Sequence, residues 1–390
     1  EFPTNTFIHR HTHKYSPTTT LMRIFSKEYI SQEDEKKLPD YKYAGGDASL
    51  LYRHFFSPIA EFIVQNLLPE NIAPNLITLT GFFCTLIPHI LIAIYNPKEL
   101  AGHVPNWLCI MSSIGQFLYI ILDNCDGKQA RKTGNSSPLG LLFDHGCDAM
   151  NTFITGLSLF TVLQLGNGLT SIFAYAIIFT GFYMATWEEY FTGGLFLPII
   201  NGVNEGQLAV ILIFAISGIF GNDIWLQEAM GWKINHIVVI FYSILWIPTL
   251  LTNVWKVYKH NPAKFQKSLK KLNMMWYLFF TGFMIYWFSI TKIAQRFTRY
   301  FIYFIGFNFS KVVGIMQATH CADADFTQYN SSVLLTTTLL NIFMITGTVM
   351  ERRVYSEGFI FTVLLIGTVV GYAHFVVKII KQYTRVLNIQ

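Results

Sequence analysis

The sequence predicts an all-α integral membrane protein, with about ten transmembrane helices and an N-terminal interfacial amphipathic helix, and three observations carry that expectation. Charged residues make up 13% of the 390 positions and hydrophobic ones 52%, against about 25% charged in a typical soluble domain. Mean hydropathy is +0.38. Apolar runs of the roughly 20 residues a bilayer demands recur along most of the chain, and its 35 Phe, 20 Tyr and 8 Trp fit lipid as the main solvent. The net charge of +5 is modest and its Lys and Arg show no nucleic-acid-binding pattern, so no nucleic acid is expected as partner. Five scattered cysteines (Cys84, Cys109, Cys125, Cys147, Cys321) give neither a disulfide framework nor a zinc spacing.

Residues 1–48 form a polar, basic segment without a spanning run. Within it, 6–27 carry Arg10, Lys14, Arg23 and Lys27 and no acid, a composition that resembles an organelle-targeting segment or a basic tail. Residues 49–72 follow, where SLLYRHFFSPIAEFIVQNL mixes apolar and charged residues at loosely helical spacing, as in a helix lying in the interface. Hydropathy then places spans near 75–95, 106–124, 139–164, 169–188, 205–221, 236–256, 274–292, 298–318, 331–350 and 357–380. An even count puts both termini on one side. The loops on that side, with Lys128, Arg131 and Lys132, the stretch 256–271, and Lys378, Lys381 and Arg385, hold twelve Lys and Arg. The opposite loops hold seven. The positive-inside bias therefore turns the termini toward the cytosol, or toward the matrix of a mitochondrion. The Asn135 and Asn330 sequons stay out of the lumen in this topology.

Residues 123–150 read DNCDGKQARKTGNSSPLGLLFDHGCDAM. On a helix Asp123, Asp126, Gly127, Ala130 and Arg131 share one face, and Gly140, Asp144 and Asp148 share another. The turn TGNSSP at 133–138 folds the two faces together. Four converging carboxylates repel one another and are costly to dehydrate near a membrane. Salt bridges to Lys128, Arg131 and Lys132 could offset part of that cost, but they give no reason for the small residues between the acids. A divalent cation offsets both terms, and hard oxygen ligands indicate Mg²⁺, Mn²⁺ or Ca²⁺. Two such ions suit displacement at phosphorus. Gly127, Ala130 and Gly140 leave room for a nucleotide against the backbone, and Arg131 offers a planar fork to phosphate oxygens.

The stretch resembles the signature of the CDP-alcohol phosphotransferases, D-x2-D-G-x2-A-R-x8/9-G-x3-D-x3-D, at all eight fixed positions. The resemblance implies Mg²⁺ (or Mn²⁺), two ions, held by Asp123, Asp126, Asp144 and Asp148, with a CDP-linked donor over the small residues. An acceptor hydroxyl attacks the β-phosphorus and CMP leaves. Members that use CDP-diacylglycerol are typically shorter, with about six spans. Those that take CDP-choline or CDP-ethanolamine and diacylglycerol have about ten, which is the pattern here. APNLITLTG at 73–81, WEEYFTG at 187–193 and NGVNEGQ at 201–207 are similar to that second branch. The catalytic core is then expected at 73–225, with additional helices over 226–390. Leu141 stands where many relatives carry Glu, a departure outside the eight fixed positions.

His145, beside Asp144 and one turn before Asp148, is the expected base for the acceptor hydroxyl. Glu205, opening the fifth span, is expected to orient or recharge it. Asn75, after Pro74 at the mouth of the first span, is expected to touch cytidine or phosphate. Trp187, Glu188, Glu189 and Tyr190 offer aromatic faces and carboxylates to a cationic head group, and do not choose between choline and ethanolamine. HCADAD at 320–325 reads as a polar loop, and His89 and His374 as structural histidines. A homodimer is expected; Gly367 and Gly371 permit close helix packing inside the chain or between chains. The expected activity is transfer of phosphoethanolamine or phosphocholine to diacylglycerol in the endoplasmic reticulum membrane, with the site facing the cytosol, or in a mitochondrial membrane. The alternatives are a CDP-diacylglycerol-dependent synthase and a non-catalytic subunit that keeps the fold. A transporter is a further reading, against which no internal repeat is visible.

Overall fold

Proline and glycine punctuate the helices in the computed structural model, which describes residues 28–199, 201–260, 262, 263, 265, 266, 295–326 and 357–389. The basic stretch 6–27, the expected spans 274–292 and 331–350 and the Asn330 sequon lie outside the described residues. Within them run nine helices of ten residues or more: α1 (Ser57–Asn66), α2 (Pro74–Tyr95), α3 (Asn106–Thr133), α4 (Pro138–Val162), α5 (Leu169–Thr192), α6 (Glu205–Phe220), α7 (Ile234–His260), α8 (Thr298–Cys321) and α9 (Glu357–Leu387). Pro74 and Pro138 sit in the first turn of α2 and α4, where the missing N–H costs nothing. Gly134 ends α3 in the left-handed region at φ 68° and its N–H meets the carbonyls of Ala130 and Arg131, a closure that a side chain would strain.

Eight of these helices fall where hydropathy placed spans, and five of them (α3, α5, α7, α8 and α9) run on past the expected ends. Helix α3 continues from 124 to Thr133, and α5 from 188 to Thr192. Hydropathy stops where charge begins, whereas the backbone ladder stops only where the last carbonyls find other donors. Six helices, α2, α3, α5, α7, α8 and the Phe361–Leu387 portion of α9, are long and apolar enough to cross a bilayer. The chain is an all-α integral membrane protein.

Helix α2 packs on α3 and α4, α3 on α6, and α5 on α7. Helix α8 runs through the middle of the described bundle, against α4, α5 and α9. Its Gly306 lies so close to the Phe153 ring that a Cβ would overlap it. Helices α7 and α9 are peripheral: Phe241, Ile244 and Leu251, and Phe359, Val363 and Val370, face outward, as apolar side chains do where lipid is the solvent. Two buried polar side chains inside the bundle find partners on neighbouring helices and loops. His89 lies 2.9 Å from the Ser158 hydroxyl and 2.6 Å from that of Tyr303, which accords with a structural role. Arg299 donates to the carbonyls of Asn96 and Glu99 and to Thr161 Oγ1.

Two features tie the N-terminal segment to the bundle. Strand β1 (Gly45–Asp47) pairs in parallel with β2 (Leu195–Leu197), Gly45 opposite Leu195 and Asp47 opposite Leu197. Further back, the Gln382 amide of α9 donates to the Ile30 carbonyl at 2.7 Å. Helix α1, preceded by a π-helical turn over Tyr52–Phe56, buries Phe56, Ala60 and Val64 and leaves Phe55, Phe62 and Leu67 exposed. It is apolar on two sides, one of which packs on α3.

Candidate active site

The turn between α3 and α4 is four residues, Gly134 to Ser137. Ser137 is the N-cap of α4, its hydroxyl accepting the Gly140 N–H at 3.1 Å, a bond that fixes the direction in which α4 leaves. With α3 closed at Gly134 and α4 capped at Ser137, the two acid-bearing faces meet. Oxygen atoms of Asp123, Asp126 and Asp144 lie within 4.8 Å of one another. Ligand atoms of Asp144, His145 and Asp148 do the same, so Asp144 is common to both groups.

Neutral donors hold the edges of this cluster. The Thr78 hydroxyl of α2 donates to Asp126, and the Tyr119 hydroxyl of α3 donates to Asp148. No lysine does. Lys128 is paired with Glu61 of α1 at 2.8 Å, and Lys132 donates to the carbonyls of Val64 and Leu68 at 2.8 and 3.4 Å. The two lysines beside the acids are thus used to fasten α1 to α3 and take no part in the cluster. Asp144 Oδ1 is buried without a hydrogen-bond partner among the described residues, an expensive position for a carboxylate oxygen unless something positive reaches it. An all-carboxylate donor set around such an oxygen fits a hard divalent cation.

The cluster opens onto a cavity of about 1430 Å³ that is polar at one end and apolar at the other. Asn75, Gly127, Ala130, Arg131 and Gly140 line its polar end with the four aspartates. Asn75 Oδ1 lies 3.7 Å from where a Gly140 Cβ would be, and Arg131 Nη1 lies 3.5 Å from the same point on Gly127. Both glycines therefore leave open space beside a polar side chain. Ile178 and Phe182 of α5, Val210 and Ile213 of α6, and Val239 and Trp246 of α7 line the apolar end.

His145 is buried on the cavity wall. Its Nδ1 lies 2.6 Å from the Gln317 amide nitrogen of α8, which also donates to Glu189 Oε2 at 2.7 Å. The acid beside His145 is Glu189, 3.7 Å from Nδ1. The structure does not bring Glu205 to His145: its carboxylate accepts the Ser49 hydroxyl at 2.7 Å and the Asn201 N–H at 2.9 Å. Glu205 belongs to a network at the rim, in which Asn201 and Asn204 both donate to Asp47. Burial pushes the Asp47 carboxyl above the usual range.

The WEEY stretch divides its four side chains. Trp187 is buried against Phe191 and Phe265. Tyr190 donates to the Ala324 carbonyl and accepts the Phe326 N–H. Glu188 accepts from Lys256 at 2.8 Å. Glu189 alone of the four reaches His145. In the last span Gly371 turns inward, its carbonyl accepting from Lys311 at 3.2 Å, while none of the described residues lies within 4 Å of a Cβ on Gly367. The stretch 320–325 closes α8, where His320 meets the Tyr41 hydroxyl at 3.2 Å.

Three site residues escaped the sequence reading. Thr78 and Tyr119 each stand one helical turn from a residue it did single out, Asn75 and Asp123, and that spacing is a usable signal. Gln317 was findable as an amide inside a spanning helix, an expensive placement without a partner.

Residues 71–194 match the family model described as CDP-alcohol phosphatidyltransferase. A Dictyostelium discoideum protein, described as uncharacterized CDP-alcohol phosphatidyltransferase class-I family protein 1, is 29% identical, over 94% of this chain and 95% of its own. Cholinephosphotransferase 1 of Saccharomyces cerevisiae is 31% identical, over 86% of this chain and 89% of its own. Ethanolaminephosphotransferase 1 of Homo sapiens is 26% identical, over 91% and 92% respectively.

Proposed function

Since the chain belongs to the CDP-alcohol phosphatidyltransferase family, we propose that it transfers phosphoethanolamine or phosphocholine from the CDP-alcohol to diacylglycerol, releasing CMP. The observation that carries this reading is a single cavity with the acid cluster at one end and an apolar chamber at the other. A water-soluble nucleotide donor and a lipid acceptor need that juxtaposition, and a CDP-diacylglycerol-dependent synthase would instead place its lipid on the nucleotide. The names of the relatives cover both head groups.

In this proposal Asp123, Asp126, Asp144 and Asp148 hold two divalent ions, Mg²⁺ or Mn²⁺. When bound, these supply neutralisation of the donor's phosphate oxygens and of the departing CMP. Arg131 forks onto a phosphate, Asn75 contacts phosphate or base, and Gly127, Ala130 and Gly140 let the nucleotide lie on the backbone. The diacylglycerol hydroxyl forms the new bond to the β-phosphorus as the bond from that phosphorus to the bridging oxygen breaks, and the hydroxyl proton passes to His145.

As a base acting through Nε2, His145 must carry its resting proton on Nδ1. The Gln317 amide nitrogen now faces Nδ1, and its Oε1 has no hydrogen-bond partner among the described residues. Turning the amide over presents that oxygen to Nδ1–H and favours the tautomer whose lone pair is on Nε2. Glu205 acts from the rim as a positioning residue, holding Ser49 and the 201–204 turn beside the cavity. The catalytic core occupies 73–225, and beyond it α7 walls the cavity and α8 contributes Gln317. The membrane is the endoplasmic reticulum, with the site facing the cytosol and α1 in the interface, and a homodimer belongs to the same proposal.

The test is CMP release by purified protein given Mg²⁺, diacylglycerol and each CDP-alcohol in turn. Turnover with at least one donor is expected. Absence of turnover where a control enzyme is active refutes the reading and returns the fold to a non-catalytic role.

A further inference from the structure

We infer that Glu189 is the head-group selector, accepting N–H bonds from the donor's ammonium and so favouring primary ethanolamine over quaternary choline. The inference rests on the transfer reaction proposed above. Two neighbouring acids, Glu188 and Glu189, are unequally partnered. Glu188 and Glu189 both occupy the last turn of α5, which closes at Gly193 through its N–H to the Glu189 carbonyl. A helix C-terminus repels carboxylates, so each acid there needs a compensating partner.

Glu188 has one. Lys256 of α7 reaches its Oε1 at 2.8 Å, and the Asn253 amide nitrogen, in the orientation that satisfies both its ends, meets Oε2 at 2.9 Å. Glu189 is 1% exposed, and its Oε1 has no hydrogen-bond partner among the described residues. Its Oε2 receives a single neutral donor, the Gln317 amide. If that amide turns over to serve His145, Glu189 loses the donor as well. A buried carboxylate on a cavity wall in this state calls for a cation that also carries N–H groups.

The position suits the donor's alcohol end. His145 adjoins Asp144 of the cluster that would hold the phosphates, and Glu189 stands 3.7 Å beyond His145. The span from β-phosphorus to the amine in CDP-ethanolamine is two carbons and an oxygen. An aromatic cage, which quaternary ammonium favours, is not built from the same helix, because Trp187 and Tyr190 are committed to packing and to the chain at 324–326. A primary ammonium brings three N–H donors to Glu189. A trimethylammonium brings charge and none, and leaves Oε1 unsatisfied.

The experiment measures kcat/KM for CMP release from CDP-ethanolamine and its N-methyl, N,N-dimethyl and N,N,N-trimethyl homologues, with wild type, Glu189→Gln and Glu189→Asp. Wild type should fall with each added methyl, most steeply at the last, where the final N–H is lost. Glu189→Gln should lower the ethanolamine value by roughly 10- to 100-fold, the range for one charge-assisted hydrogen bond. It should lower the choline value several-fold less and so flatten the series, while Glu189→Asp keeps the order. A wild-type series that is flat or rises with methylation overturns the inference while leaving the transfer reaction standing. So does an equal loss on all four donors in Glu189→Gln, which would assign Glu189 to His145. No CMP from any donor overturns the transfer reaction, and this inference with it.

Discussion

Replacing Asp144 with Asn should have opposite effects on catalysis and on metal-free stability. Asp144 is common to both groups of ligand atoms, each spread over no more than 4.8 Å. At that distance two unit charges repel by about 3.5 kcal/mol at an effective dielectric near 20. Without a divalent ion, the amide removes at least one such repulsion and gives the orphaned oxygen position a neutral occupant. The variant should then unfold in chelator at the same temperature as wild type or a higher one. With Mg²⁺ present the sign reverses. Wild type gains stability as RT ln(1 + [Mg²⁺]/Kd), whereas the variant has lost an attraction of comparable size, which raises half-saturating Mg²⁺ by roughly 300-fold. The assay is a thermal melt in detergent across an Mg²⁺ series, run beside CMP release on the same samples. A variant that melts lower than wild type in chelator, or that half-saturates at the wild-type Mg²⁺ concentration, would refute the view of these acids as a strained metal cage.

His145→Gln should lower kcat by about 10²- to 10⁴-fold, the usual contribution of a positioned base, while nucleotide binding measured by calorimetry stays near wild type. Equal loss of binding would remove its role as base. Phe182→Ala, at the apolar end of the cavity, should raise the apparent KM for diacylglycerol and leave that for the CDP-alcohol unchanged; a shift in the donor KM alone would contradict the proposed division of the chamber. Gly306→Leu should destabilise the fold by about 1–3 kcal/mol or more through overlap with Phe153, seen as early elution or aggregation in gel filtration. Ser137→Ala should cost about 1 kcal/mol by removing the cap of α4, and should weaken Mg²⁺ binding because the cap sets how the two acid faces meet.

The aspartate cluster was legible because its code is local. Asp123, Asp126, Asp144 and Asp148 lie within 26 residues, and helical spacing with one turn suffices to converge them. Eight helices were legible for a similar reason, since lipid imposes a continuous apolar length, and six of them are long and apolar enough to cross a bilayer. Where each helix stops was not, because α3 and α5 continue through charged residues whose partners are remote in sequence. The partners of His145 were hidden for the same reason. Glu189 and Gln317 come from α5 and α8, and no spacing rule links residue 145 to residue 317. Glu205 was singled out as an acid opening an apolar helix, and it does open α6. What decided its surroundings was Ser49, brought in by a strand pairing that period and hydropathy do not encode.

That pairing bears on how the protein is made. Residues 45–47 leave the ribosome long before their strand partners at 195–197, and Ile30 waits for Gln382. Contacts so distant in sequence form late, after the helices between them have been inserted. Until residue 197 emerges, Asp47 has neither its strand partner nor Asn201 and Asn204, and the rim of the site stays unassembled. A nascent chain carrying α3 and α4 thus already holds its four aspartates while the mouth above them is open. The enzyme's polar end is completed in two stages, the acids first and the N-terminal strap last, so stalled chains ending before residue 195 should show 45–47 fully accessible to a protease.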